Sequence, residues 1–583
     1  MKSSGIFFAL FLTLTPLLAD SAWAEDARLT GPTRVWTAEA LATADPHRLY
    51  VKFAEGTQAE QIATDQFRSA QVELTSVNQV LAQFSVSAVS TFPYDRAKTA
   101  AWKIVGEEKA GAPGPDLSLW FTFSFEGTRP ELAELLNRLN ALEDVEIAHP
   151  SPRVGSASIH TPGAPVPTQA GATPDFTSFQ DYLYAPPVGL NAPAIWSEAG
   201  GTGAGMHFID VEAGWTVDHE DFNLDNFFYS GGTDEDFGIP HGTAVLGEIV
   251  GQENGFGIRG FAPDVSYGVE AIDIDAYPDV ATYFQEAVDN LNPGDVWLIE
   301  LQMFPDGFSA TPMEFLQVNF DVIWTSVFAR GIICVEAGAN GSEDLDQVGY
   351  GGLFDLSLRD SGAILVGAGT PFGLVAEGFS NYGSRIDCHA WGSQIYTTGY
   401  GDLYSEGPPT THYTSDFGGT SGASPMIVGS ALCLQGVALA HFGAPLHPLQ
   451  IRNLLRITGT PHQDPVRHIG RRPDLGEALS KLLASTNVPE TTPRPRLVLS
   501  AGPNPIRDRT SIRFALEREQ TVELIGFNAA GQRIARLFDG PLPAGQHTVD
   551  WNLGEHSIQS GVVFVRLNLD HEKQTTVALR VVR

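Results

Sequence analysis

Phe417-Gly-Gly-Thr-Ser-Gly-Ala-Ser-Pro425 is the stretch whose reading decides the rest. Ser421 stands among small residues just ahead of an apolar run, Met426 to Ala440. Apolar residues recur there at helical spacing, so Ser421 is expected to open a helix. A serine in that position gains three things. Its backbone N–H is a first-turn donor with no partner inside the helix. The positive end of the helix dipole favours negative charge beside it. Gly419 and Gly422 let a second backbone come close. A nucleophile needs all three, because attack on a carbonyl creates an oxyanion that must be stabilised. Taken alone, the stretch also reads as a Ser/Gly-rich loop before a buried helix.

Three upstream segments change that balance. Gly205-Met-His-Phe-Ile-Asp210-Val-Glu-Ala-Gly214 is an apolar run ending in an acid, so Asp210 is expected to cap a buried strand. In Pro240-His241-Gly242-Thr243-Ala-Val-Leu-Gly247 a histidine leads an apolar helix-like segment. Gly331-Ile-Ile-Cys-Val-Glu-Ala-Gly-Ala-Asn340-Gly341 is another apolar strand ending in an amide side chain. Each alone is weak: a strand-end Asp is commonly a turn former, Asn-Gly is first a turn signal, and the chain has 15 histidines.

In the order Asp210, His241, Asn340, Ser421, these segments resemble the subtilisin-like serine peptidases. Residues 419–425 match Gly-Thr-Ser-x-Ala-x-Pro at every fixed position, and 241–243 match His-Gly-Thr. The chain order acid, histidine, serine also fits that family among the triads built on unrelated folds. The resemblance covers residues 175–485. It implies that Ser421 attacks the scissile carbonyl, that His241 takes its proton and that Asp210 orients the imidazole. It also implies that the Asn340 amide and the Ser421 N–H bind the oxyanion. It implies polypeptide substrates and a monomer, requires no cofactor for the chemistry and is compatible with structural calcium. There are departures. Val-Glu-Ala-Gly follows Asp210 where the family has Ser or Thr then Gly, and Ala339 replaces a usual glycine. Glu300 and Gln302 lie on the strand that serves as substrate edge. Glu300 reads equally as part of a pocket for a polar side chain or as a structural group. His389, in Asp387-Cys-His-Ala-Trp-Gly392, reads as structural.

The same region supports an α/β fold from pattern alone. Short apolar strands at Met206–Val211, Asp264–Val269, Val296–Leu301, Ile332–Val335 and Ala363–Val366 alternate with helical stretches. Such alternation predicts a parallel sheet sandwiched by helices, with the site at the carboxyl ends of the strands.

The flanks read differently. Residues 1–24 carry Lys2, an apolar core and Ala22-Trp-Ala24, the pattern of a secretory signal peptide. No later stretch is expected to be long and apolar enough to span a bilayer. Residues 25–155 read as an α+β unit, with strands at Arg48–Phe53, Leu119–Phe125 and Val145–Ala148. A capping box at Thr128-Arg-Pro-Glu131 opens its leucine-faced helix. This unit resembles the propeptides of the same family, which assist folding and inhibit until cut away; the alternative is a permanent N-terminal domain. Residues 156–174 read as a cleavable linker. After a Pro/Thr-rich linker, 486–498, residues 499–583 show six short alternating runs separated by turn signals, the pattern of a β-sandwich. Pro503-Asn-Pro505, Ala529–Arg533 and Gly561–Phe564 resemble sorting or FlgD-like Ig domains of bacterial exported proteins. Export machinery is the partner this implies, with secretion or the cell surface as destination; the alternative is a plain accessory domain.

Composition bounds the rest. The chain has 583 residues, 43% hydrophobic and 18% charged, and a net charge of −34. That is globular chemistry, and the charge repels nucleic acid. Neither a basic patch nor a phosphate-binding glycine motif is present. Asp234-Glu-Asp236 reads as a solvated loop without calcium-ligand spacing. Three cysteines exclude a disulfide scaffold, and Cys334 and Cys433 are expected as buried thiols. Two function classes follow: an exported endopeptidase, and an inactive surface-binding protein on a peptidase fold.

Overall fold

The computed structural model describes residues 35–157, 172–232, 238–274 and 279–484, and parts of 500–581. The signal-peptide stretch, Asp234–Asp236 and the 486–498 linker lie outside the described residues.

The described residues between 207 and 472 build the expected layered fold. Nine strands form one sheet in the order 460–461, 471–472, 388–391, 364–369, 333–337, 296–299, 207–212, 266–271 and 227–231. All neighbours are parallel except the first pair. Alternate residues of each strand face opposite layers. Phe208, Val296, Leu298, Ile333 and Val335 join a core that includes the helices Ile239–Val250 and Thr420–Phe442. Ile209, Trp297, Ile299 and Cys334 join the opposite core, with the helices Val280–Asp289 and Gln317–Trp324. Strands buried on both faces read as continuous apolar runs, which is why they were legible.

Helix Thr420–Phe442 is long and apolar enough to cross a membrane, contrary to the expectation that no such stretch would follow the first. It is buried from Thr420 to Ala438 within the protein. A helix with apolar side chains on every face demands this when the surrounding layers can cover it. All three cysteines, Cys388 included, are buried and free.

The N-terminal region forms a four-stranded antiparallel sheet in the order 85–90, 120–126, 48–53, 145–150. The capping box opens helix Arg129–Leu139, whose Leu132, Leu135, Leu136 and Leu139 are buried. The period of two along Arg48–Phe53 assigns its faces. Leu49, Val51 and Phe53 join the domain's own core. Tyr50 joins the core of the parallel-sheet domain, and its hydroxyl donates to Asp279 at 2.8 Å. Lys52, fully buried, lies 3.3 Å from the equally buried Asp321 and 3.0 Å from Glu146. Trp120 Nε1 donates to Asp321 at 2.9 Å. The sheet therefore docks through one polar, charge-compensated face.

The C-terminal unit, described by itself, is a β-sandwich. Strands 500–502, 509–516 and 545–552 form one sheet, and 533–542, 520–528, 561–569 and 573–581 form the other. Phe514 and Trp551 from the first share a core with Leu524 and Val565 from the second.

Removing the cation of a buried pair leaves its anion without compensation. Lys52→Ala, on a Ser421→Ala background to suppress cleavage, is expected to cost about 3–5 kcal/mol by denaturant unfolding of the full chain. A loss no larger than that of a surface lysine would refute the docking role.

Candidate active site

Ser421 is the second residue of helix Thr420–Phe442, and Gly419 precedes the helix with φ 100°. Gly422 also packs closely: a Cβ there would lie 2.4 Å from Ile395 Cδ1, so that side chain would have to shift.

Asn340 follows strand Ile333–Ala337. Its Oδ1 accepts from Thr420 N at 3.0 Å and Thr420 Oγ1 at 3.1 Å. These bonds fix the amide orientation and turn Nδ2 outward, where it donates to the carbonyl of Ala157. The Ser421 N–H donates to the same carbonyl at 3.4 Å. Ala339 holds φ 70°, a conformation that normally favours glycine.

His241 sits in the first turn of helix Ile239–Val250 and packs edge-on against Phe417, centroids 5.4 Å apart. Its Nδ1 hydrogen-bonds Glu212 Oε2, not Asp210. This departs from the sequence expectation. Strand His207–Glu212 runs two residues past Asp210, so the side chain at the strand's carboxyl end is Glu212. Asp210 lies on the same face one pleat deeper and accepts from Trp215 Nε1 at 2.7 Å. The signal was present in the chain. Glu212-Ala213-Gly214 carries the acid, small residue, glycine spacing that Asp210-Val-Glu lacks.

Three carboxyls gather here: Asp210, Glu212 and Glu300, all with no exposure. Glu300 follows strand Val296–Ile299, which ends there rather than running on through Leu301. Its Oε1 accepts from Ser424 Oγ at 2.6 Å, one turn along the helix from Ser421. Burial first, then the charge of Asp210, raises Glu300 well above the usual carboxyl range. Burial first, then the charge of Glu212, does the same for Asp210. Burial raises Glu212 well above the usual carboxyl range too, opposed by Asp210 beside it. Asp210 Oδ1 and Glu212 Oε1 have no hydrogen-bond partner among the described residues. Asp210 meets the Trp215 indole, and Glu212 is the carboxyl that faces the imidazole.

Burial lowers His241 to about 4, opposed by Asp210. A neutral ring donating from Nδ1 keeps Nε2 as an acceptor. His241 Nε2 and Ser421 Oγ are both buried and have no hydrogen-bond partner among the described residues. The arrangement supplies a hydroxyl, a neutral base, an acid behind the base and two donors on a peptide carbonyl. Those are the parts of acyl transfer.

His389 lies in strand Cys388–Trp391, buried, with Nδ1 3.2 Å from the Gly470 carbonyl. Among the described residues no group of three or more His, Cys, Asp or Glu side chains could hold a metal ion.

Comparison with known proteins agrees with this chemistry. Residues 305–471, which include Asn340 and Ser421, match the Subtilase family. The chain is 27% identical over 263 residues to an intracellular serine protease of Paenibacillus polymyxa, covering 43% of this chain and 73% of that one. It is 27% identical over 274 residues to Subtilisin BL of Lederbergia lenta, covering 46% and 89%. A solved structure of proteases from Pseudoalteromonas arctica aligns at 20% identity and TM-score 0.38, covering 54% of this chain and all of that one. The chain is a serine-type endopeptidase, a hydrolase. It is similar to the subtilisins, and the family match covers residues 305–471.

A neutral amide cannot hold the imidazole tautomer as a carboxylate does. Glu212→Gln is expected to lower kcat by about 10⁴-fold, while Asp210→Asn, replacing a group already uncharged, loses far less. Peptide hydrolysis by the two variants separates them, and equal losses would return Asp210 to the principal role.

Proposed function

We propose that Ser421 is the nucleophile, His241 its general base and Glu212 the acid that orients the base. The Asn340 Nδ2 and Ser421 N–H groups stabilise the oxyanion. The observation that carries this reading is the Ala157 carbonyl, held by Asn340 Nδ2 and the Ser421 N–H beside the serine. Ser421 Oγ would attack a carbonyl so polarised. His241 Nε2 would take the hydroxyl proton and pass it to the leaving amine. Glu212 would stabilise the imidazolium as it forms. Loss of one oxyanion donor in such a site costs about 10²–10³-fold in kcat, so Asn340→Ala is a graded test beside the complete loss in Ser421→Ala. No step needs a cofactor.

The rest of the chain fits an exported zymogen. Residues 1–24 would direct export, 25–155 would occupy and inhibit the site, and 499–583 would sort or anchor the enzyme at a bacterial cell surface. The docked N-terminal sheet and the bacterial sources of the relatives support that order. Polypeptides would be the substrates of a monomeric enzyme. Structural calcium, if bound, would play no part in these steps.

Covalent labelling tests the assignment. A fluorophosphonate probe is expected to label the processed chain and not Ser421→Ala. A processed wild type that takes no label would favour the inactive surface-binding protein. The pH profile is a second check. His241 must be neutral to accept a proton, so kcat falls as pH drops through its pKa. With peptide bound, burial places that pKa at about 4. The acid limb of kcat is therefore expected well below the ordinary imidazole range, and a limb near the ordinary value would contradict it.

A further inference from the structure

We propose that Glu300 is a positioning residue for Ser421, that it acts in its protonated form, and that losing this proton shuts the site down. The inference rests on the peptidase reading above and adds a residue that its reaction steps leave unused.

Glu300 stands at the head of the edge Leu301–Met303, along which strand Val154–Ser156 pairs antiparallel. Both of its main-chain groups are engaged. Glu300 N donates to Val211 O at 3.2 Å, and Glu300 O accepts from Ala157 N at 3.1 Å. The side chain is fully buried, and its Oε1 lies 2.6 Å from Ser424 Oγ. Ser424 Oγ also lies 2.7 Å from the Thr420 carbonyl. A hydroxyl has one hydrogen to give, and a carbonyl can only accept. Against an ionised Glu300 the hydroxyl must choose between two acceptors. A protonated Glu300 donates to Ser424, Ser424 donates to Thr420, and both contacts are kept.

That chain of bonds braces the site. Thr420 to Ser424 span one helical turn, with Ser421 inside it. Thr420 in turn gives its N–H and hydroxyl to Asn340 Oδ1. Glu300 is therefore linked to the turn that carries the nucleophile and, through Thr420, to the amide beside it.

The surroundings favour the proton. Asp210 and Glu212, from strand His207–Glu212, both act against a charge on Glu300. Helix Thr420–Phe442 offers only the neutral hydroxyls of Ser421 and Ser424. Ser421 makes no hydrogen bond to Glu300 here but stands near enough to favour its charged form. His241, from helix Ile239–Val250, meets Glu212. Glu336 of strand Ile333–Ala337 is registered opposite Ile299 and binds the Glu314 N–H instead. Val154–Ala157 carries no charge. Among the described residues no lysine or arginine pairs with Glu300, whereas Glu314 has Arg385 at 2.6 Å. Glu300 Oε2 has no hydrogen-bond partner among the described residues either. Ionised, the carboxyl would be an uncompensated charge beside the N–H groups that receive the oxyanion. It would oppose the charge that develops there and draw the Ser421 hydroxyl hydrogen away from His241. The working form is neutral, so kcat is full at lower pH and falls as pH rises through the pKa of Glu300. Burial, then Asp210, sets that fall above the usual carboxyl range.

The test measures kcat and KM for a peptide substrate across pH, with tryptophan fluorescence recorded alongside as a check on folding. Wild-type kcat is expected to fall on the alkaline side by about tenfold per pH unit, the slope of one ionisation, with KM little changed. Glu300→Gln keeps a donor for Ser424 and cannot ionise, so it should remove that limb. Glu300→Ala should lower kcat by about 10²-fold, and the glutamine variant should recover most of that loss. Should Glu300→Ala fail to fold, the pH profile of Glu300→Gln decides alone. A limb that persists in Glu300→Gln, or that disappears instead in Asp210→Asn, overturns the proposal and leaves the peptidase reading standing. So does a wild-type kcat that holds on the alkaline side, or one whose loss tracks unfolding. A wild type that neither hydrolyses peptide nor takes the fluorophosphonate label overturns the reading beneath it.

Discussion

Burial of one helix governs the architecture. Thr420–Phe442 carries apolar side chains on every face, so it must be covered on every side. The parallel sheet covers one flank and helix Ile239–Val250 another. With the helix body fixed in the core, its first turn is fixed too, and the unpaired N–H groups of that turn point to the carboxyl ends of the strands. The site inherits its rigidity from the core. Ser421, Asn340, Glu212 and Glu300 belong to different elements, but each stands at an end whose direction packing has already decided.

Electrostatics within that end are unusual. Asp210, Glu212 and Glu300 are buried, and among the described residues no lysine or arginine forms an ion pair with them, unlike Asp321 with Lys52 or Glu314 with Arg385. Three like charges so placed could not all ionise. The structure resolves the conflict by rank. Asp210 is backed by the Trp215 indole and Glu300 by the Ser424 hydroxyl, while Glu212 alone meets the imidazole. Burial favours the neutral form of each carboxyl, and Glu212 is the one with a basic ring beside it.

Much of this was legible in the chain. Ser421, His241 and Asn340 announced themselves through local composition and a buried run beside each. The period of two in Arg48–Phe53 foretold a sheet with one apolar face, though not that Tyr50 and Lys52 would meet a second domain. The carboxyl that meets the imidazole lies two residues beyond Asp210. Asp210 and Glu212 share a face of the strand, so apolar patterning does not separate them, and only the spacing Glu212-Ala213-Gly214 hints at which lies level with a histidine 29 positions further on. Strand length decides that, and strand ends are set by what the sheet packs against. The seating of Ala157 was also invisible, because Ser156–Ala157 opens a Pro- and Ala-rich stretch whose partners, Glu300 to Met303, are remote in sequence.

The strand that enters the cleft is part of the same molecule as the cleft, and this has a kinetic consequence. A tethered segment is presented at an effective concentration set by geometry, not by dilution. Even a segment with weak intrinsic affinity therefore stays seated while the tether holds, and the antiparallel sheet behind it adds its own hold through Asp279 and Asp321. How long the cleft stays covered is then set by the dwell of that sheet, through its buried lysine and tyrosine.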